Sequence, residues 1–275
     1  MYFHKKRFTF VAGEQNLPLF VESVGYNPQE QKFTRPEGYP YFHWLLTLEG
    51  KGTFTFNGQS YMMTPGRGIF LKPYTPHSYY TNGSLWSTAY ITFGGVSVVS
   101  ILKALELNFS AVYNENKDKH FYNIMKAMID KVEVESEFSR LELSSYLYHF
   151  LIKLRTYGKI NNQPSLSHNY TKVRPVVDWL EIVYADNIGL QDIANHMNMS
   201  PQYLNRLFQD TFGISPYSFL IQLRIRKSKE ILVSNQEIPL NQVAALVGFN
   251  DVSNFVATFR KKEGITPRKY RILHS

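Results

Sequence analysis

The 275-residue chain carries 30 Lys+Arg against 22 Asp+Glu, a formal charge of +8, with 44% hydrophobic and 19% charged residues. That composition belongs to a folded chain, and at roughly 100–200 residues per domain the length implies two domains. There is no cysteine, which excludes disulfide frameworks, thiolate nucleophiles, iron–sulfur clusters and cysteine-ligated zinc.

The basic N-terminus, Met1 to Arg7, is followed by no apolar run of the kind a secretory signal requires. No stretch approaches the ~18 consecutive apolar residues of a membrane span. The expectation is a soluble, cytoplasmic protein with no membrane partner. The first ~95 residues read as β structure, in short runs rich in aromatic and β-branched residues: Phe8 to Val11, His43 to Leu48, Gly52 to Phe56, Gly68 to Leu71 and Ser87 to Phe93. Turn signals at Glu49-Gly50-Lys51-Gly52, Asn57-Gly58, Thr64-Pro65-Gly66 and Asn82-Gly83 separate them. Closely spaced strands without intervening helices predict a sandwich or barrel. The aromatic content of 15% fits either an aromatic-rich β core or a stacking pocket.

After about Val96 the periodicity becomes helical. Phe121, Ile124, Met125, Met128, Ile129 and Val132 form one stripe. Leu143, Leu147, Leu151 and Leu154, with Leu141, Ser145, Tyr148 and Ile152, predict a second helix to about Tyr157. These apolar faces must cover either the barrel or a partner chain. Residues 158–170 are polar, contain Pro and Ser, and read as a linker. Beyond Thr171 the periodicity is helical throughout.

That last region repeats itself. Leu190, Ile193, Ala194, Met197 and Asn198 correspond to Leu240, Val243, Ala244, Val247 and Gly248, and after a one-residue insertion Leu204 and Phe208 correspond to Phe255 and Phe259. Each copy is a helix-turn-helix. A small residue allows close helix approach, and Asn198 or Gly248 takes a left-handed turn. Ser200 and Asn250 are suited to cap the next helix. In the first copy Gln202, Asn205, Arg206 and Gln209 point outward, with the donors and acceptors that read base edges. In the second, Ser253, Val256, Ala257 and Arg260 do. From Ser200 onward eleven basic residues face five acidic ones, which favours a polyanion partner.

The stretches Arg224-x-Arg226-Lys227, Val243-Ala244-x-x-Val247-Gly248-Phe249 and Phe255-x-x-x-Phe259-Arg260-Lys261-x-x-Gly264-Ile265-Thr266-Pro267 resemble the signature of AraC/XylS-type bacterial transcription regulators. The resemblance implies two helix-turn-helix units joined by a long helix from about Pro216 to Val233. Their recognition helices would enter successive major grooves of double-stranded DNA about one turn (~34 Å) apart. Base contacts are expected from Gln202, Asn205, Arg206, Ser253 and Val256. Phosphate contacts are expected from Arg224, Arg226, Lys227, Arg260, Lys261 and Arg268, with Arg174 and Arg206 adding to the salt dependence. Ala257 stands where many relatives carry a larger polar residue, so the second unit is expected to read fewer bases.

Gly38 to Tyr80, with His43-x-Leu45-x-x-x-Glu49-Gly50-x-Gly52, Pro65-Gly66-x-Gly68 and Pro73-x-x-Pro76-His77, is similar to the cupin-type effector domain of these regulators. Alternation places His43, Leu45, Thr47 and Glu49 on one strand face, a lumen with polar contacts. The resemblance puts Glu49, Tyr79, Thr88 and Tyr90 near the effector, with Trp86 beside them; Arg35 lies on the approach, and His43 and His77 complete the set. His43, Glu49 and His77 also match three of four cupin metal ligands, but Leu45 replaces a second histidine. No metal or other cofactor is expected, though three such ligands leave a metal-dependent cupin enzyme as the alternative reading.

The implied architecture is an α+β multidomain chain. Residues 1–160 form a cupin-like effector-binding and dimerisation domain, with a barrel to about 95 and helices over about 96–157. After the 158–170 linker, 171–275 form an all-α DNA-binding domain with two helix-turn-helix units. The expected protein is a homodimeric regulator, an activator working with RNA polymerase under a small-molecule effector, most simply a sugar. A regulator answering to a protein partner is the other alternative. No catalytic residues are assigned.

Overall fold

The computed structural model describes residues 6–9, 16–115, 120–133, 139–160 and 163–274. The expected strand residues Phe10 and Val11 and the linker residues Asn161 and Asn162 lie outside the described residues. The chain divides into two compact units, Met1–Ser167 and His168–Ser275.

The first unit is a nine-stranded antiparallel sheet with helices set between its later strands. Its strands are β1 (Lys6–Thr9), β2 (Phe20–Asn27), β3 (Phe33–Arg35), β4 (Phe42–Phe56), β5 (Gln59–Met63), β6 (Arg67–Leu71), β7 (His77–Gly94), β8 (Ala111–Asn114) and β9 (Lys159–Ile160). Their order is β1-β2-β7-β4-β6-β8-β9, with β3 paired to β7 and β5 to β4. Asn57 and Gly58, both left-handed at φ 50° and 72°, make the expected two-residue hairpin.

Two other turn signals prove to be something else. Glu49 to Gly52 lies within the 15-residue β4, and Asn82-Gly83 within the 18-residue β7. The register between these strands shifts at Thr47/Glu49 and again at Gly50/Gly52. The glycines serve β-bulges that bend two long continuous strands. At Gly50, φ is 72° and a side-chain carbon would lie 2.0 Å from the Leu85 carbonyl oxygen.

Alternation along β4 sorts the core into two faces. Phe42, Trp44 and Leu46 face a cluster shared with α2 (His120–Glu133) and α3 (Ser139–Tyr157). Leu45 and Phe54 face a second cluster with Ile69 and Trp86. Both indoles are seated on strand glycines: a side chain on Gly68 would meet the Trp44 ring at 2.3 Å, and one on Gly52 the Trp86 ring at 2.2 Å. The inner stripe of α3, Leu143, Leu147, Leu151 and Leu154, is buried against the sheet. Its outer stripe, Leu141, Tyr148 and Ile152, remains exposed in the chain. A short helix α1 (Val98–Ala104) precedes β8.

The second unit is all α: α4 (Leu166–Val183), α5 (Leu190–His196), α6 (Pro201–Phe212), α7 (Pro216–Ser234), α8 (Leu240–Leu246), α9 (Val252–Glu263) and α10 (Pro267–Leu273). Within the segment expected as a linker over 158–170, Lys159–Ile160 form β9 and α4 begins at Leu166. Tertiary burial of Asn169 and Val173 extends the helix into a polar sequence that shows no periodicity of its own. Two cores hold the unit. One gathers Val176, Leu180, Ile193, Leu204 and Phe208; the other gathers Ile225, Val243, Val247, Phe255 and Phe259.

Candidate DNA-reading helices and effector cavity

In the second unit, each helix-turn-helix is built as its sequence requires. Asn198 and Gly248 take left-handed φ of 51° and 81°. Ser200 caps α6 by accepting the Tyr203 amide at 3.2 Å, with Pro201 at the first helical position. The cap of α9 is Asp251 and not Asn250: its carboxylate accepts the Asn254 amide at 2.6 Å. The second turn is one residue longer, which moves the capping position along by one.

Leu204, Leu207 and Phe208 bury one side of α6, leaving Gln202, Arg206 and Gln209 exposed and Asn205 partly so. On α9, Phe255 and Phe259 face inward; Ser253, Ala257 and Arg260 are exposed, and Val256 packs at the edge of the core. Val252, Ser253, Val256, Ala257, Arg260, Lys261 and Thr266 line a groove of about 760 Å³ along this face.

The six expected phosphate contacts separate into two groups. Arg260, Lys261 and Arg268 are exposed. Arg224 is buried, and its guanidinium donates to the Tyr184 carbonyl (Nε, 2.7 Å) and the Asp186 carbonyl (Nη2, 2.7 Å). It clamps the loop between α4 and α5. Helical spacing alone did not reveal that this position of α7 faces inward. Arg226 is paired with Glu181 of α4, and Lys227 lies 3.9 Å from Glu181 and 3.3 Å from Glu230. Both therefore already face carboxylates within the chain.

In the first unit, a cavity of about 420 Å³ opens at the inner face of the sheet. Of the expected effector residues, Arg35, His43, His77, Tyr79 and Tyr90 line it. Cross-strand register explains the grouping: Arg35 stands opposite His77, and Phe33 opposite Tyr79, so the four side chains share a face. Thr88 is fully buried behind the wall, where its hydroxyl donates to Glu30 Oε1 at 2.5 Å. Trp86 is buried too, and its indole donates to Thr47 at 3.1 Å.

Glu49 does not reach the cavity. Simple alternation carries it inward, but the bulge after Thr47 breaks the two-residue period and leaves it exposed. The acid in the wall is Glu30, from a polar Asn-Pro-Gln-Glu-Gln segment with no periodicity to mark it as inward-facing. It is fixed by its amide to the Trp86 carbonyl (2.8 Å) and its carbonyl to Thr81 (2.5 Å). Tyr26 of β2, Tyr39 of the segment between β3 and β4, and Thr92 of β7 line the cavity as well; the pairing of distant strands, not local alternation, brings them together. With Glu49 displaced, the His43, Glu49, His77 metal set is not assembled. Among the described residues no group of three or more His, Asp or Glu is placed to hold an ion.

Burial pulls the His43 pKa from 6.5 down to about 3, with repulsion from His77 and Arg35 adding to it. His77 is lowered as well, first by burial, against a raising hydrogen bond with Thr75. An unfolded histidine titrates near 6.5, so between about pH 6.5 and 3 the unfolded chain holds a proton the folded one lacks. Stability is therefore expected to fall as pH drops through that window, by about 1.4 kcal/mol per unit from His43. Urea midpoints at pH 7 and pH 5 should show the loss, and a H43Q variant should show less of it. An equal loss in that variant would assign the effect to other groups.

Two units, one with a cavity lined by polar and aromatic groups and one with two capped helix-turn-helix motifs, define a ligand-binding DNA-binding regulator. Residues 21–151 match the AraC-like ligand binding domain and residues 193–272 the helix-turn-helix domain. Together these matches span more than half of the chain, in this order, and the chain belongs to the AraC family of transcription regulators. The HTH-type transcriptional activator RhaS of Escherichia coli is 24% identical over 259 residues, 90% of this chain and 92% of its own. RhaS of Shigella flexneri is 24% identical over 261 residues, 92% of this chain and 94% of its own. The C-terminal domain of the response regulator YesN from Fusobacterium nucleatum is 31% identical over 37% of this chain and 98% of its own, with a TM-score of 0.35. The chain is a DNA-binding transcription regulator that carries a ligand-binding domain. No helix among the described residues is long and apolar enough to cross a membrane.

Proposed function

We propose that this chain is a cytoplasmic, effector-controlled transcription activator. In this reading a carbohydrate occupies the cavity of the first unit, and α6 and α9 read successive major grooves of one DNA site. The observation that carries DNA reading is the pair of capped helices whose buried residues all lie on one side, leaving an outer face of polar and basic groups. The cavity supports a sugar: aromatic faces from Phe33, Tyr79 and Tyr90 alternate with the polar groups Arg35, His43 and His77. The exposed Leu141, Tyr148 and Ile152 stripe of α3 supports a homodimer whose paired units occupy paired half-sites. The effector acts by its different affinity for two arrangements of those units, and RNA polymerase is the partner of the activating arrangement. The relatives named as activators support that sign of regulation.

Base reading and phosphate contact separate by mutation. Arg206→Ala is expected to weaken the operator complex by about 1–3 kcal/mol and to relax preference at one base pair. Uniform weakening across a set of single-base operator variants would move Arg206 to the backbone. Lys261→Ala is expected to weaken all sequences alike and to reduce the slope of log K against log salt by about one; an unchanged slope would remove it from the phosphate set. Thermal unfolding across a panel of sugars tests the effector, since a ligand of the native state raises the melting temperature. A flat response to every sugar would overturn the carbohydrate reading.

A further inference from the structure

The charge layout of the cavity narrows the chemistry of its occupant. Arg35 is half-buried in the wall, its guanidinium 4.2 Å from the Tyr39 ring centroid and 5.1 Å from that of Phe33. Among the described residues no carboxylate lies within ion-pair distance of it. Glu30, the acid in the same wall, is engaged by Thr88. The two aromatic faces hold the guanidinium in place while leaving its planar fork of N–H donors in the cavity wall, a geometry matched to a carboxylate.

The neighbouring groups suit hydroxyls. His77 Nδ1 lies 2.8 Å from the Thr75 carbonyl oxygen, an acceptor, so Nδ1 carries the proton and Nε2 keeps a lone pair for a donor. His77 stands directly across the strand pair from Arg35, so both reach one small ligand. Tyr90 adds a phenol to the same wall. Burial lowers both histidines first, and the Arg35 charge lowers each further, so a cation faces both rings.

Building on the carbohydrate reading, we propose that the effector is an acidic sugar, a polyhydroxylated carboxylate whose anionic group docks on Arg35 and whose hydroxyls meet His77 and Tyr90. A neutral sugar would leave the guanidinium without the partner its geometry fits.

The test titrates D-glucuronate, D-galacturonate, D-gluconate and D-galactonate, beside D-glucose and D-galactose, into the full chain by calorimetry. At least one acid is expected to bind about tenfold or more tightly than its neutral parent. Arg35→Gln should bring that acid to the level of the parent, whereas Arg35→Lys should keep part of the preference. Thermal unfolding without sugar checks that both variants fold; if Arg35→Gln does not, the acid-to-neutral ratio in wild type, and its decline with salt, decide the matter. Neutral parents that bind as tightly as their acids, or an acid preference that survives in Arg35→Gln, would overturn this inference and leave a carbohydrate pocket standing. Binding of none of the six would overturn both readings.

Discussion

Arg224→Met is expected to lower the stability of the second unit by about 2–4 kcal/mol, the loss of two hydrogen bonds from a charged donor. Methionine keeps the aliphatic stem and removes the fork that holds the Tyr184 and Asp186 carbonyls. The consequence reaches both helix-turn-helix units. The guanidinium also lies 6.0 Å from the Phe249 ring centroid, and the turn residue Gly248 sits so close to Ala185 that a side chain there would lie 2.7 Å from its carbonyl oxygen. Releasing the 184–186 loop therefore loosens the turn that launches the second reading helix. Operator affinity should fall, and more for a two-half-site operator than for an isolated half-site. Arg224→Lys should recover little, because an ammonium cannot span two carbonyls as a planar fork does. Unaltered melting of the free protein, with a change confined to the salt slope, would return Arg224 to the phosphate contacts.

Trp44→Ala is expected to destabilise the first unit by about 3–5 kcal/mol. The indole is fully buried and meets Tyr113, Phe121 and Phe150 edge-on at centroid distances of 5.8, 5.4 and 5.4 Å. It joins the sheet to α2 and α3 at one point, and the seat formed by Gly68 admits no collapse of the backbone into the vacated space without moving β6. Its indole nitrogen has no hydrogen-bond partner, so Trp44→Phe should cost far less than Trp44→Ala. The second unit has cores of its own, and its DNA affinity should persist while control by the effector is lost. Calorimetric unfolding of the full chain separates these outcomes; a phenylalanine variant as damaged as the alanine one would argue against a purely apolar role for the ring.

Legibility in the sequence followed the range of the interactions. Ser200, Pro201, Asn198 and Gly248 were readable because capping and left-handed turns are decided within four residues. The cap of α9 slipped by one residue, from Asn250 to Asp251, since both residue types suit the role and the turn length is not encoded locally. Leu143, Leu147, Leu151 and Leu154 were readable as a buried stripe, and their partner turned out to be the sheet. Glu49 failed because the bulge between Thr47 and Glu49 cancels the alternation on which its placement depended. Glu30 failed for the converse reason: a polar segment without period is buried by strands far away in the chain.

By itself the sequence determined the two-unit organisation, the duplicated helix-turn-helix and the outward set on α6, because each rests on local propensity or on a repeat. Tertiary structure alone decided which cations are engaged by other parts of the chain and which side chains line the cavity. Arg224, Arg226 and Lys227 are indistinguishable from Arg260 and Lys261 as letters. What separates them is the approach of α4 to α7, which supplies the Tyr184 and Asp186 carbonyls and the Glu181 carboxylate. The cavity likewise depends on strand register, a long-range quantity that one bulged residue resets.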